Sequence, residues 1–212
     1  MSHLGSWLNR ATELVSDASV WINLEATGKA EQILRSSAFR HFITATALSE
    51  LEVGRAKGRR AAEAATSLIS KGMLEKVVLD ALDEEVFLSL VTGPISETLD
   101  DGEAATIAFA LSSGAGALID ERKATTLCRR RYPNLQMGST TDLLLSDAVR
   151  NSMTGEDLAE CLFKALSIAR MRVPEHHLAE VCEVVGIRRI RDCPSIPAAW
   201  RDGRLPFASA GD

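Results

Sequence analysis

Hydrophobic residues along the chain alternate between two patterns, short apolar runs and longer segments with apolar positions every three or four residues. The short runs predict strands that begin at Val15 and then cover residues 42–45, 74–79, 117–119 and 135–137. The longer segments predict helices that follow the first strand as far as Leu24 and then cover residues 46–57, 60–70, 83–90, 102–112, 121–131 and 141–149. Strands that alternate with helices are typical of an α/β fold with a mostly parallel sheet.

The chain beyond residue 150 has a different pattern. Residues 154–169 and 175–185 have helical periodicity, and Thr154 and Asp157 have the spacing of a capping box at the start of the first helix. Residues from Pro194 onward are rich in proline, glycine and small residues, which predicts an extended tail. We therefore expect a domain of residues 1–150 followed by a helical C-terminal extension of residues 151–212.

Composition narrows the class of protein. The 212 residues carry a formal net charge of −5, which does not indicate a protein that coats nucleic acid. We expect no secretory signal, since the first ten residues lack an apolar core, and no membrane span, since no apolar run approaches about 20 residues. The widely spaced Cys128, Cys161, Cys182 and Cys193 predict reduced thiols in the cytoplasm.

Four acidic residues stand at positions where an α/β fold places its sites. Asp17 and Asp120 lie at the ends of predicted strands, and Glu50 and Glu103 lie in the predicted first turns of helices. Ligands of parallel sheets bind beyond the carboxyl ends of the strands, so we expect the four acids at one sheet edge. Carboxylates gathered there repel one another unless they share a hard cation such as Mg²⁺ or Mn²⁺. The pattern predicts a metal-dependent phosphodiesterase.

The segments around these acids resemble the PIN-domain family of metal-dependent ribonucleases, and most nearly its branch of VapC-type toxins. The resemblance covers residues 14–149 and rests on Ser-Asp-Ala-Ser at residues 16–19, Ser-Glu-Leu at 49–51, Gly-Glu-Ala at 102–104, Asp-Glu-Arg-Lys-Ala at 120–124 and Gly-Ser-Thr at 138–140. At position 103 the chain has glutamate where the family more often has aspartate. The resemblance implies a three-layer α/β sandwich with a central, mostly parallel sheet, to which this chain adds C-terminal helices.

The same resemblance implies an endoribonuclease that uses Mg²⁺ or Mn²⁺. Asp17, Glu50, Glu103 and Asp120 are then the catalytic and metal-binding residues, with Asp17 and Asp120 as direct ligands. Ser19, Ser139 and Thr140 are candidate substrate-binding residues, and turn or cap roles fit them equally well. The resemblance further implies an RNA substrate, a role as the toxin of a toxin–antitoxin pair, a small antitoxin partner and a homodimer.

Other interpretations remain at this point. The main alternative is a non-catalytic RNA- or protein-binding regulator on the same scaffold, which the presence of all four acids disfavours. A third interpretation is a phosphohydrolase with an aspartate nucleophile, which normally has two aspartates one residue apart after its first strand. Here Ala18 and Ser19 follow Asp17, so this interpretation fits poorly. Basic clusters at residues 55–60, 129–131 and 188–191 fit either RNA phosphates or solvated helix faces.

Adjacent histidines and the tryptophans fit structural roles best. The rings of His176 and His177 diverge by about 100° on a helix, so we expect surface or packing roles rather than a shared metal ion. Trp7, Trp21 and Trp200 are expected in the core or at an interface.

Overall fold

The centre of the computed structural model, which describes residues 12–55, 58 and 60–203, is a five-stranded sheet in which all neighbouring strands are parallel. The strands are β1 (Glu13–Ser16), β2 (Arg40–Thr44), β3 (Glu75–Val77), β4 (Gly116–Leu118) and β5 (Met137–Gly138). Their order across the sheet is β3-β2-β1-β4-β5, so the first strand lies in the middle. The predicted α/β class with a parallel sheet is confirmed.

Helices connect these strands and continue after the last one. They are α1 (Ala18–Thr27), α2 (Ala30–Ser36), α3 (Ala45–Arg55), α4 (Ala61–Ser70), α5 (Ala81–Val91), α6 (Asp101–Ser113), α7 (Arg122–Arg131), α8 (Thr140–Leu144), α9 (Asp147–Asn151), α10 (Gly155–Ser167), α11 (Leu178–Val185), α12 (Ile187–Ile190) and α13 (Ala198–Arg201). A short 3-10 turn at Glu175–His177 leads into α11.

Local hydrogen bonds move two helix boundaries from their predicted positions. Thr44, not Thr46, caps α3, because its hydroxyl oxygen accepts a hydrogen bond from the backbone N–H of Ala47 at 3.1 Å. Glu50 consequently lies in the second turn of α3 and not in the first. The helix expected at residues 141–149 is divided into α8 and α9, since Ser146 begins a new helix by accepting from the N–H of Val149. Helix α2 was not predicted.

Successive strand residues face opposite sides of the sheet, which therefore has two apolar faces. One face takes Leu14, Ile43 and Leu118, and the other takes Val15, Phe42 and Ala117. Residues of α1, α3 and α4 pack on the first face, and residues of α5, α6 and α7 pack on the second. The expected arrangement of three layers is confirmed.

The C-terminal helices complete the first of these two apolar clusters. Leu162 of α10 and Val181 of α11 are fully buried in the same cluster as Val20 and Leu24 of α1. An ion pair between Lys29 and Asp157 and another between Arg150 and Glu180 lie across the same junction. The division into residues 1–150 and 151–212 stays a prediction, and the two parts share this apolar cluster.

Deleting residues 152–212 should strip the apolar covering from α1. We expect the truncated chain to melt at a lower temperature and to be less soluble, since an uncovered apolar face of this kind favours self-association. Its four acids remain, so we expect it to bind Mn²⁺. Circular dichroism, light scattering and Mn²⁺ titration measure these properties. A truncated chain of unchanged solubility and mass that binds no metal contradicts this assignment.

The remaining structural predictions concern the tail and the tryptophans. The predicted extended tail contains the short helix α13, and residues 204–212 lie outside the described part. Trp21 is buried and donates from its ring N–H to the carbonyl of Ser16, and Trp200 packs against the apolar core, whereas Trp7 lies outside the described residues. Within the described ranges, no helix has the length and apolarity needed to cross a membrane.

Candidate active site

The strand order creates a crevice at the carboxyl ends of β1 and β4. The chain leaves β1 toward β2 on one side, and β4 lies on the other side, which makes this the switch point where α/β sheets bind ligands. Asp17 follows β1 directly, and its N–H donates to the carbonyl of Leu118 at 3.1 Å. Asp120 follows β4 after one intervening residue. Tertiary structure thus brings these two strand ends together.

Asp17 is the capping residue of α1 and lies at the centre of the crevice. Its Oδ2 accepts hydrogen bonds from the N–H and the hydroxyl of Ser19, at 3.2 and 2.8 Å. Burial raises the pKa of the Asp17 carboxyl group, and the hydrogen bonds from Ser19 oppose that shift. The charge of Asp17 also contributes to raising the pKa of Glu50, Glu103 and Asp120. Asp17 is therefore electrostatically linked to each of the other predicted acids.

Glu50 reaches the crevice from α3 and is held by the first turn of α6. The backbone N–H of Gly102 donates to Oε1 of Glu50 at 2.8 Å. Lost hydration and the negative charges of Asp17 and Asp100 raise the pKa of Glu50 to about 7. A Cβ atom on Gly102 would lie 2.6 Å from Oε2 of Glu50, so only glycine permits this approach.

Replacing Gly102 with alanine should displace Glu50 without disrupting α6. Alanine favours a helix over glycine by about 1 kcal/mol, but the added methyl group occupies the space of the Glu50 carboxylate. We expect roughly tenfold weaker Mn²⁺ binding, a typical loss when a metal ligand is poorly oriented. Titration with Mn²⁺ and circular dichroism measure the two effects. Gly155→Ala, where the Cβ atom meets open space, is the matched control; equal metal affinity in both variants would contradict the role of Gly102.

Glu103 lies one residue further along α6 and is buried, with 6% of its surface exposed. Burial, a hydrogen bond with the Asp100 carboxyl group and the negative charges of Asp100 and Asp17 raise the pKa of Glu103 to about 9. A carboxyl group in this environment keeps its proton at neutral pH unless a cation replaces it.

These side chains line one cavity of about 280 Å³. Its polar lining consists of Asp17, Ser19, Glu50, Asp100, Glu103 and Glu121. The structure thus adds Asp100 and Glu121 to the acids predicted from the sequence. Asp100 is the N-cap of α6, the helix that bears Glu103, and Glu121 is the N-cap of α7, directly after Asp120. These positions next to predicted acids were the signal in the sequence that could have identified them.

Asp120 is buried beside this cavity and is held by three hydrogen bonds. The N–H of Thr140 donates to Oδ1 at 2.8 Å, Asn23 Nδ2 donates to Oδ2 at 2.7 Å, and the Thr140 hydroxyl also donates to Oδ2. Burial raises the pKa of Asp120 to about 6, although these hydrogen bonds lower it. Asp120 lines a second, adjoining cavity and not the first. Asn23 was missed in the sequence because its partners are distant along the chain.

A family model described as the PIN domain matches residues 13–186. The chain belongs to the PIN-domain family. The match begins with β1, includes all four acids and ends just after α11. No curated protein and no solved structure matches the chain significantly. The family predicted from the motifs is confirmed, and since PIN domains are typically nucleases, membership indicates nuclease activity in general.

The donor set of this PIN domain fits a hard divalent cation. Mg²⁺ and Mn²⁺ prefer oxygen ligands, and the crevice offers carboxylate oxygens from four separate segments of the chain. The raised pKa values of Glu50, Glu103 and Asp120 have a common cause, because each carboxyl group is short of hydration and faces another acid. A bound cation would offset both the lost hydration and the repulsion between the acids.

The three predicted substrate contacts of the PIN domain are engaged with carboxylates. Ser19 donates to Asp17, and Thr140 donates to Asp120. Ser139 caps α8 in a reciprocal box with Asp142 and is buried. A role of these hydroxyl groups in substrate binding stays a prediction.

A separate group of ligand-type side chains consists of Asp142, His176 and His177, whose candidate ligand atoms lie within 4.8 Å of one another. Within the described part of the chain, no three of the four predicted acids come that close. His177 is buried, and its Nε2 lies 2.9 Å from Oδ1 of Asp142, while Oδ2 of Asp142 accepts from Ser139. This contact ties the start of α11 to α8, which agrees with the predicted packing role of His177; His176 is exposed.

Proposed function

We propose that this PIN domain is a divalent-metal-dependent endoribonuclease that hydrolyses phosphodiester bonds of RNA. The observation that carries the proposal is the cavity that Asp17, Glu50 and Glu103 line together, where burial and the neighbouring acids raise the pKa of each carboxyl group. The proposed catalytic and metal-binding residues are Asp17, Glu50, Glu103 and Asp120, and the proposed ion is Mg²⁺ or Mn²⁺. Asp100 and Glu121 join them at the cavity wall.

Three of the four acids have a neighbour that fixes their position. Ser19 orients Asp17, the Gly102 N–H orients Glu50, and Asn23 with Thr140 orients Asp120. Preset positions of this kind lower the cost of reorganising the site during the reaction. A bound ion would supply a water molecule of lowered pKa and would neutralise charge on the phosphate. Asp17, Glu50, Glu103 and Asp120 would hold it, and the adjoining cavity offers space for the strand to be cleaved.

The proposal also includes the branch of the family and the biological role of the protein. We place the chain in the VapC-type branch, as the toxin of a toxin–antitoxin pair that acts in the cytoplasm as a homodimer and is inhibited by a small antitoxin. The motif resemblance supports the branch. Four buried cysteines that remain free thiols support a reducing compartment. Growth arrest on expression in bacteria, relieved by an inactivating site variant, tests the toxin role.

Cleavage of RNA by the purified chain tests the activity. We expect single-stranded or structured RNA to be cut with Mg²⁺ or Mn²⁺ and to remain intact with a chelator, leaving 5′-phosphate and 3′-hydroxyl ends. Gel electrophoresis and end-group analysis of the products measure both. If the partner-free chain degrades no RNA with either ion, the non-catalytic regulator becomes the better interpretation.

A further inference from the structure

The second cavity, which adjoins the acid-lined one, is larger and is lined by basic as well as acidic side chains. Its volume is about 850 Å³, within the roughly 300–1,000 Å³ typical of ligand sites. The two cavities adjoin, because both are lined by Ser19, Ile22, Ala61 and Glu121. A chain bound in the larger cavity therefore passes directly beside the acids.

Three arginines from distant parts of the sequence line this larger cavity. Arg60 stands at the start of α4, and Arg170 and Arg172 belong to the segment that follows α10. Glu25, Asp120 and Glu121 also line it; the last two border the acid-lined site. Residues 170 and 172 belong to the C-terminal extension, so this part of the chain forms a wall of the active-site region.

Arg60 belongs to the basic cluster at residues 55–60 noted in the sequence, whereas Arg170 and Arg172 lie outside all three clusters. In the other two clusters, some arginines already pair with acidic residues. Arg131 pairs with Glu97, and Arg189 pairs with Glu160 over the ring of Phe163. Within the described part of the chain, Arg60 and Arg170 form no ion pair with an acidic residue. Their charges are therefore available to an anion in the cavity.

Backbone geometry gives Arg170 particular weight. Its φ is 58°, the left-handed region that glycine occupies at little cost, and it is the sole described residue other than glycine with a positive φ. It is the second residue after Ile168, the C-cap of α10. A side chain kept at a strained position beside a site indicates a functional contact.

The positions of Arg60 and Arg172 also favour contact with an anion. Arg60 occupies the cap position of α4, where the helix dipole disfavours a cation and favours an anion. Arg172 donates from Nη1 to the backbone carbonyl of Asp120 at 2.8 Å, which places its guanidinium beside an acid of the site. The remaining N–H groups of Arg172 have no hydrogen-bond partner in the described ranges.

We propose that this cavity binds the sugar–phosphate backbone of the single-stranded RNA that the acids cleave, with Arg60, Arg170 and Arg172 as the phosphate contacts. The proposal rests on the proposed ribonuclease function. Planar guanidinium groups match phosphate oxygens, and the exposed Ile168 with Ile22 offers apolar surface to unpaired bases. The C-terminal extension is then part of the substrate site.

Binding of a short labelled RNA strand, measured by fluorescence anisotropy with a chelator present to prevent cleavage, tests the proposal. Arg60→Ala and Arg170→Gly should each weaken binding roughly threefold to tenfold, as expected for the loss of a phosphate contact. Each should also reduce the slope of log affinity against log salt by about 0.7. Arg191→Ala removes an exposed charge outside the cavity and should change neither quantity.

Glycine at position 170 separates binding from folding. Because glycine relieves the strained φ, Arg170→Gly should melt at or above the wild-type temperature while it binds RNA more weakly. Its Mn²⁺ affinity should equal that of the wild-type chain, and its KM for RNA should rise while kcat changes little.

The outcomes also separate this proposal from the function on which it rests. A wild-type chain that cleaves no RNA overturns the ribonuclease function. A chain that cleaves RNA, with KM and salt slope unchanged in Arg60→Ala and Arg170→Gly, overturns the cavity assignment alone. Arginine-dependent binding of a single-stranded DNA of the same sequence, with none of RNA, also overturns it.

Discussion

The Asp17→Asn variant is expected to lose at least about 100-fold of the metal-dependent RNA cleavage rate, a loss typical of misplaced reacting groups. Asp17 lies at the end of the central strand and lines the acid-lined cavity, and its charge acts on Glu50, Glu103 and Asp120. Asparagine removes that charge. Its side-chain oxygen still accepts the hydrogen bond from Ser19 that caps α1, so we expect the fold to remain.

A matched control distinguishes loss of the site from loss of an acid. Asp147→Asn neutralises an acid in the first turn of α9, outside both cavities, and should keep full activity. Cleavage rates, Mn²⁺ titration and circular dichroism are compared for the three proteins. If Asp17→Asn binds Mn²⁺ and cleaves RNA as well as the wild-type chain does, the site assignment is wrong.

Stability without metal should fall as the pH rises from about 5 to 9. The pKa of Glu50 is raised to about 7 and that of Glu103 to about 9, each from an ordinary value of 4.5. The folded chain therefore binds more protons than the unfolded chain in this range, and stability decreases with pH wherever that holds. The contribution is complete below about pH 4.5 and is lost as the pH passes 7 and then 9.

A divalent cation should reverse this loss, because it replaces the protons that the carboxyl groups release. At a Mg²⁺ or Mn²⁺ concentration of about 100 times Kd, binding adds about 2.7 kcal/mol. For a chain of this size, that free energy corresponds to a rise in Tm of roughly 5–10 °C. At one fixed cation concentration, the rise should be larger at pH 9 than at pH 6, as measured by thermal melting at matched ionic strength.

The Glu103→Gln variant provides the internal comparison. Glutamine keeps the size of the side chain and cannot ionise, so the decline in stability above pH 7 should be smaller than in the wild-type chain. A metal-free wild-type chain whose Tm stays level or rises between pH 6 and pH 9 would contradict the raised pKa values of the acids.

Much of the architecture could be predicted from local pattern, because strands and helices differ in hydrophobic period. The short apolar runs of β1, β2 and β4, which are buried on both faces of the sheet, and capping residues such as Thr154 before α10 are local signals. The predicted helix boundaries were wrong where a single side-chain hydrogen bond sets the start of a helix. The Thr44 hydroxyl begins α3 two residues before the expected cap, and Ser146 separates α8 from α9.

The sequence by itself determined the family, the α/β class and four acids at strand ends and near helix starts, because these depend on residues adjacent in the chain. Only the tertiary structure decided which side chains meet. Asn23 binds Asp120 across 97 residues, and Arg172 reaches its carbonyl across 52. No local period encodes such contacts, since they arise when parallel strands and their covering helices pack together. The fold also decided that Asp120 lies in the wall of the second cavity, beside the arginines of the C-terminal segment.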